Sequence, residues 1–311
     1  MTWIKKGLIF KPSGKNEYFK SHASIPVVNQ VDNDVMRIYF SSRDNSNRSL
    51  PTFIEVEADN PKNILYIHNE PILPLGKLGT FDDSGIMPSW IVNVNNKKYL
   101  YYIGWNPQIT VSYRLSIGLA ISEDGGLNFQ KYSEGPICDR SIEEPFFNTA
   151  PCVIKEDRIW KMWYVSCTSW KIISRRPEPR YHIKYAESED GIHWGKKGIV
   201  CIDFSYAEEA IGRPCVYLEN NLYKMIYCYR SLKDYRTNSK RSYKFGYAES
   251  KDGLTWQKFH NKLGFEISKS GWDSEMVEYC YVLDYKNLKY LFYNGNKFGK
   301  TGFGYAILDK S

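Results

Sequence analysis

The residues best equipped for chemistry recur just ahead of five short apolar segments anchored at Pro26, Pro88, Pro151, Pro214 and Tyr279. One residue before each anchor stand Ile25, Met87, Ala150, Arg213 and Glu278; five before stand Ser21, Asp83, Phe146, Glu209 and Ser274. Side chains alternate along a strand, so these two offsets share a face. If that face points to a common centre, three carboxylates and one guanidinium converge there. Cleavage of a glycosidic bond uses two carboxylates, one giving a proton to the leaving oxygen and one acting as nucleophile or activating water. Asp83, Glu209 and Glu278 are therefore the catalytic candidates. Arg213, beside Glu278 in this column, suits holding a carboxylate ionised or clamping a phosphate.

A second set supplies candidate binding groups. His22 and Glu275 lie four residues before their anchors, and Asn148 lies three before Pro151. A tyrosine column follows the anchors at Tyr39, Tyr102, Tyr164, Tyr227 and Tyr293, and three residues past it stand Ser42, Trp105, Cys167, Arg230 and Asn296. Arg43 and Asp44 follow Ser42. Trp105 and Trp170 offer flat faces to a sugar, although tryptophans equally pack between structural units. Arg230 opens the basic segment RSLKDYRTNSKRS, and WKIISRRPEPRY (170–181) reads as a positive, proline-stiffened loop over the site. The plain alternative for every charged residue here is a solvated strand end.

The elements that must position these groups repeat. The anchors are separated by 62, 63, 63 and 65 residues, and each is followed by its tyrosine at 13 or 14 residues. Ala120-Ile-Ser-Glu-Asp-Gly, Ala186-Glu-Ser-Glu-Asp-Gly and Ala248-Glu-Ser-Lys-Asp-Gly form a third column that reads as strand, Asp-Gly turn, strand. Each period thus holds about four short strands, with no amphipathic helix between them. Four-stranded units repeated around an axis make a β-propeller. The expectation is an all-β, five-bladed propeller filling residues 1–311 as one domain. The shortened last copy suits a ring in which a strand from one terminus completes a blade begun at the other.

Composition narrows the function. Net charge is +7 over 311 residues, without a basic run of the kind that binds nucleic acid. No apolar run approaches the ~18 residues of a membrane span. The seven cysteines form no C-x-x-C pair, and no His/Cys spacing suggests zinc, so neither metal nor cofactor is expected. Cys152, Cys215 and Cys280 each follow an anchor, which fits small buried groups rather than nucleophiles. Reduced thiols and the absence of a signal-peptide core at the start suggest a cytoplasmic protein.

SIGLAISEDGGLNF, IKYAESEDGIHW, GWDSEMVEYCYV and YNGNKFGKTGFGYA, with the recurring Ser-x-Asp-Gly-x-x-Trp hairpin, resemble the five-bladed propellers of glycoside hydrolase families 32, 43, 62, 68 and 130. Within that group they are similar to uncharacterised bacterial proteins associated with surface-polysaccharide genes. The resemblance implies a carbohydrate at the mouth of the central channel. It does not carry over a reaction. The Asn-Asp-Pro-Asn and Arg-Asp-Pro strings of the invertase type are absent, and Glu143-Glu144-Pro145 is only a broken form of the arabinanase-type Glu-x-Pro. Two expectations stand. One is an enzyme acting on a glycosidic bond of a small carbohydrate, including a phosphorylated or nucleotide-activated sugar, by hydrolysis, phosphorolysis or transfer. The other is a non-catalytic glycan- or protein-binding propeller. An enzyme should show two carboxyl groups ~5–10 Å apart across a pocket; a binding module should not.

Overall fold

A computed structural model describes residues 1–259 and 262–309. The chain is all-β apart from one helical turn. It begins with β1 (Thr2–Phe10). A first unit follows: β2 (Ser21–Gln30), β3 (Val35–Arg43), β4 (Ser49–Glu57) and β5 (Ile64–Ile67). The second holds β6 (Gly85–Val94), β7 (Lys97–Pro107), β8 (Tyr113–Ser122) and β9 (Gln130–Lys131). The third holds β10 (Asn148–Glu156), β11 (Ile159–Ile173), β12 (Arg176–Ser188) and β13 (Gly195–Ile202). The fourth holds β14 (Glu209–Glu219), β15 (Leu222–Ser231), β16 (Lys244–Ser250) and β17 (Gln257–Lys258). The fifth is β18 (Glu278–Tyr285), β19 (Leu288–Asn294), the turn α1 (Asn296–Gly299) and β20 (Phe303–Asp309), against which β1 pairs antiparallel. Within every unit neighbouring strands are antiparallel. Units three, four and five are separate four-stranded sheets, whereas a single parallel pair, Ser49 with Gly85, joins units one and two.

The first strands of the units lie side by side in a closed circuit: β2 by β6, β6 by β10, β10 by β14, β14 by β18, and β18 by β2. Side chains stitch this circuit. Ser89 Oγ donates to the Pro151 carbonyl at 2.8 Å, and the Val216 and Val282 amides donate to the sulfurs of Cys152 and Cys215 at 3.2 and 3.3 Å. The Ile25 amide donates to Asn294 Oδ1 at 2.6 Å, linking the first unit to the fifth. The anchor-column cysteines are buried and free, as expected of small groups, and two of them also serve as acceptors between units.

The Asp-Gly turns latch each sheet to its neighbour. Ser122, Ser188 and Ser250 each bond both the aspartate and a glycine amide of their own turn. The turn glycine's carbonyl then accepts from an aromatic of the preceding unit: Tyr39 to Gly126, Tyr101 to Gly191 and Trp163 to Gly253, at 2.7–2.9 Å. Asp124, Asp190 and Asp252 are thus turn residues, as their spacing suggested.

Two columns slip by one residue against the sequence alignment. The first strands of units one, three, four and five each carry a bulge, at 25–26, 150–151, 213–214 and 279–280. In that register Tyr279, not Glu278, is the counterpart of Ile25, Ala150 and Arg213. Tyr39 likewise belongs with Tyr101 and Trp163, and the counterpart of Tyr102, Tyr164, Tyr227 and Tyr293 in the first unit is Phe40.

Candidate functional site

A cavity of about 420 Å³ opens where the five first strands meet. Each unit contributes one residue from its first strand: Ile25, Met87, Ala150, Arg213 and Tyr279 all line it. Four of these five have positive φ, at 59° for Ile25, 49° for Ala150, 24° for Arg213 and 54° for Tyr279. Non-glycine residues adopt this backbone at a cost, and bulges re-aim side chains next to functional sites. The walls are aromatic, with Trp105, Tyr113, Phe147, Tyr181, Tyr243 and Phe298 among them. The Trp105 ring lies against Gly85, where a Cβ would come within 1.7 Å of Nε1, so only glycine permits this wall.

The charged residues of the lining are arginines: Arg43, Arg213 and Arg236. Among the described residues no carboxylate lines it. Arg236 is committed to Glu178 through a contact of 2.5 Å. Arg43 donates to Asn47 Oδ1 at 3.1 Å and has no acidic ion-pair partner within 4 Å among the described residues; burial lowers its pKa. Arg213 is 1% exposed. Its Nη2 donates to the Ser89 carbonyl at 2.8 Å, while Nε and Nη1 meet no acceptor. A desolvated guanidinium without a counter-ion is unfavourable unless something completes it.

Of the three carboxylates singled out in the sequence, none lines the cavity. Glu278 is adjacent in the chain to the lining residue Tyr279. Its side chain is 0% exposed and neither oxygen is matched with a donor. Burial raises its pKa well above the usual carboxylate value, with Tyr279, Arg230 and Arg43 acting in the opposite direction. Asp83 accepts from the Gly79 amide at 2.9 Å and from Ser84 Oγ at 2.8 Å, closing its own turn. Glu209 is buried and accepts from the Ser205 amide.

The candidate binding residues divide similarly. Arg43, Trp105 and Arg213 line the cavity. Arg230 does not. Its Nε donates to the Tyr181 and Tyr243 hydroxyls and its other nitrogens to the carbonyls of Ser231 and Pro179, all at 3.0–3.1 Å. It braces the tyrosine wall from behind. Asp44 binds the amides of Ser46 and Arg48 and the Arg48 guanidinium. His22 is half-buried, with Nδ1 2.8 Å from Ser21 Oγ; burial first, then Arg43 and Lys300, push its pKa down to about 4. Glu275 is exposed. Asn148 is buried and donates to Glu144 at 2.7 Å. Among the described residues no cluster of three or more His, Cys, Asp or Glu could hold a metal ion.

Segment 170–181, expected as a loop, is instead part of the long hairpin of β11 and β12. Trp170 packs on Tyr113 and Phe147 rather than facing the cavity. In the segment after Arg230, Tyr235 and Arg236 do reach the lining.

A recurring group went unnoticed in the sequence. Asp82, Glu144 and Asp273 each accept from the tyrosine twenty residues on, Tyr102, Tyr164 and Tyr293, at 2.9 Å. Each also pairs with a lysine from its unit's outermost strand: Lys131 at 2.6 Å, Lys196 at 3.3 Å and Lys5 at 2.7 Å. Glu144 takes Lys184 as well, at 3.0 Å. These triads tie the loop ahead of the first strand to the second and fourth strands. The constant twenty-residue offset was the available signal.

No family profile matches the chain. It is 38% identical over 310 residues, 99% of its length and 100% of theirs, to two proteins of Mycobacterium tuberculosis, the uncharacterized proteins MT1551 (strain CDC 1551 / Oshkosh) and Rv1502 (strain ATCC 25618 / H37Rv). The chain belongs to the family of these mycobacterial proteins. Among solved structures it is similar to a glycosyl hydrolase from Bacteroides ovatus (TM-score 0.73, 13% identity, 100% of this chain and 94% of that one). It is similar also to a thermostable family-43 glycoside hydrolase (0.67, 17%, 92% and 88%). A third is the Penicillium chrysogenum alpha-L-arabinanase complexed with arabinobiose (0.61, 13%, 99% and 99%). At such identities the likeness is one of fold, the β-propeller-type fold of glycoside hydrolases.

Proposed function

We propose that the five units are the blades of a single-domain propeller and that its central cavity binds an anionic carbohydrate. One observation carries this reading: Arg213, desolvated and with two nitrogens unmatched, lines a cavity with no carboxylate among its described lining residues. A phosphate or carboxylate on a sugar would meet the Arg213 fork with charge-assisted hydrogen bonds. Arg43 adds a second positive charge, and Trp105, Tyr113 and Tyr181 give the sugar ring apolar faces. Sugar phosphates, uronic acids and nucleotide-activated sugars share this chemistry. Seven unpaired, buried cysteines support placement in a reducing compartment, the cytoplasm.

A second reading keeps glycosidic-bond cleavage, favoured by Glu278. Its burial raises the carboxyl pKa and so favours the protonated form, the direction a general acid requires. With one such acid and an anion site, phosphorolysis fits better than two-carboxylate hydrolysis. A phosphate oxygen would attack the anomeric carbon and the glycosidic bond would break; Glu278, fully buried here, would have to turn toward the cavity to pass its proton to the leaving oxygen.

The test is thermal shift with glucose, glucose 1-phosphate, glucose 6-phosphate and glucuronic acid. The acidic sugars should raise Tm in proportion to occupancy; Arg213→Met should lose the rise. Equal shifts with neutral glucose, or an undiminished shift in the variant, would refute the anion site. Release of sugar 1-phosphate from a panel of glycosides with inorganic phosphate, abolished by Glu278→Gln, would establish the second reading.

A further inference from the structure

We propose that the cavity-bearing face docks on an anionic lipid bilayer through Ile109, Ile142 and Ile172, with Lys171, Arg175 and Arg176 meeting the headgroups. The three isoleucines are 103%, 95% and 73% exposed. They sit in three different connections: between β7 and β8, between β9 and β10, and on the β11–β12 hairpin. The three segments that carry them meet at one aromatic cluster. Ile109 lies four residues before Tyr113, Ile142 five before Phe147, and Ile172 two after Trp170. Tyr113, Phe147 and Trp170 form an aromatic triad with ring centroids 5.4, 5.8 and 6.0 Å apart. Tyr113 and Phe147 also line the cavity, so the segments that carry the tips begin at its wall.

The charges select the partner. Lys171, Arg175 and Arg176 are exposed and make no ion pair among the described residues. Ser174 and Arg175, at φ 49° and 65°, form the tight turn that presents this basic tip. Arg140 is exposed close to Ile142, with Asp139 before it and Glu143 after Ile142 as the neighbouring acids. Glu178, further down the hairpin, is already taken by Arg236. A second copy of the chain would bring like charge against like. Separate protruding aliphatic tips, rather than a flat apolar patch, also suit insertion at a lipid interface better than packing on a protein. Each basic residue near an anionic membrane contributes about fivefold in affinity.

This inference stands apart from what the cavity holds, and its test uses vesicles without sugar. The full chain is floated with vesicles of phosphatidylcholine alone or mixed with phosphatidylglycerol, at low and high salt. Binding should appear with the mixed vesicles at low salt and fall as salt rises. Arg175→Glu with Arg176→Glu should weaken it more than tenfold. So should Ile109→Asp with Ile142→Asp and Ile172→Asp, with an unchanged Tm in both variants. No flotation, flotation indifferent to lipid charge, or flotation unchanged in either variant overturns the proposal. Self-association by light scattering that Ile172→Asp abolishes would assign the face to a second copy and overturn it too.

Discussion

Arg213 Nη2 donates to the Ser89 carbonyl at 2.8 Å, so a side chain from the fourth unit is pinned to the backbone of the second. One bond holds the guanidinium in place and leaves Nε and Nη1 unmatched. The arginine is therefore positioned by the fold but not neutralised by it. A buried charge without a partner carries a desolvation cost that an apolar group of similar volume does not. Arg213→Met should leave the ligand-free Tm undiminished, while Arg213→Lys, lacking the planar fork, should keep only part of the response to acidic sugars. A large drop in the ligand-free Tm of the Met variant would make Arg213 a structural brace instead.

Neighbouring aspartates provide a sharper contrast. Asp82 is buried, paired with Lys131 and bonded to Tyr102; Asp83 closes an accessible turn. Breaking a buried pair by removing one partner costs about 3–5 kcal/mol, whereas losing a partly exposed turn contact costs about 1 kcal/mol or less. Urea denaturation of Asp82→Ala and Asp83→Ala should separate by that margin. Equal stabilities would remove the triads as the clamps of the units.

The repeat itself was legible because strand-forming aromatics and Asp-Gly turns are local signals with a fixed period. The slips arose where local signals fall silent. A bulge adds a residue without changing composition, so Glu278 entered the column that belongs to Tyr279. Tyr39 and Phe40 are both aromatic, and the hydroxyl partner on the neighbouring unit, the Gly126 carbonyl, decides which belongs where. Strand alternation was carried back into the turn ahead of β6, which selected Asp83 over Asp82. The arginine-lined cavity could not be counted in advance, since Arg236 reaches it from a loop and Arg230 is turned into the wall.

Glu278 should make stability fall as pH rises. Its proton is held in the folded chain by burial, while the unfolded chain releases it near the ordinary glutamate value of ~4.3. The contribution is complete below that value and is lost as pH climbs through the raised folded one. Glutamine mimics the protonated side chain and does not titrate. The Tm of Glu278→Gln relative to the parent should therefore grow as pH rises above the ordinary glutamate value of ~4.3. His22 works in the reverse sense: its contribution is present above ~6.5 and lost as pH falls toward about 4. His22→Gln should flatten only that acid limb. A Glu278→Gln difference that is constant with pH would show the carboxyl already ionised in the fold.

The closing strand joins both termini to the triads. β1 covers β20 from Thr2 opposite Asp309 to Phe10 opposite Phe303, and its Lys5 pairs with Asp273 at 2.7 Å. Removing residues 1–10 would bare the edge of β20 and leave Asp273 without its lysine. An uncovered strand edge is a template for pairing with another chain. The truncated protein should melt without cooperativity and associate on size-exclusion chromatography. Lys5→Met in the full-length chain isolates the ion pair: it should lower Tm yet keep the protein monodisperse, because the strand still covers the edge. If the truncated chain melted as cooperatively as the parent, the β1–β20 pairing would not be what secures the fifth sheet.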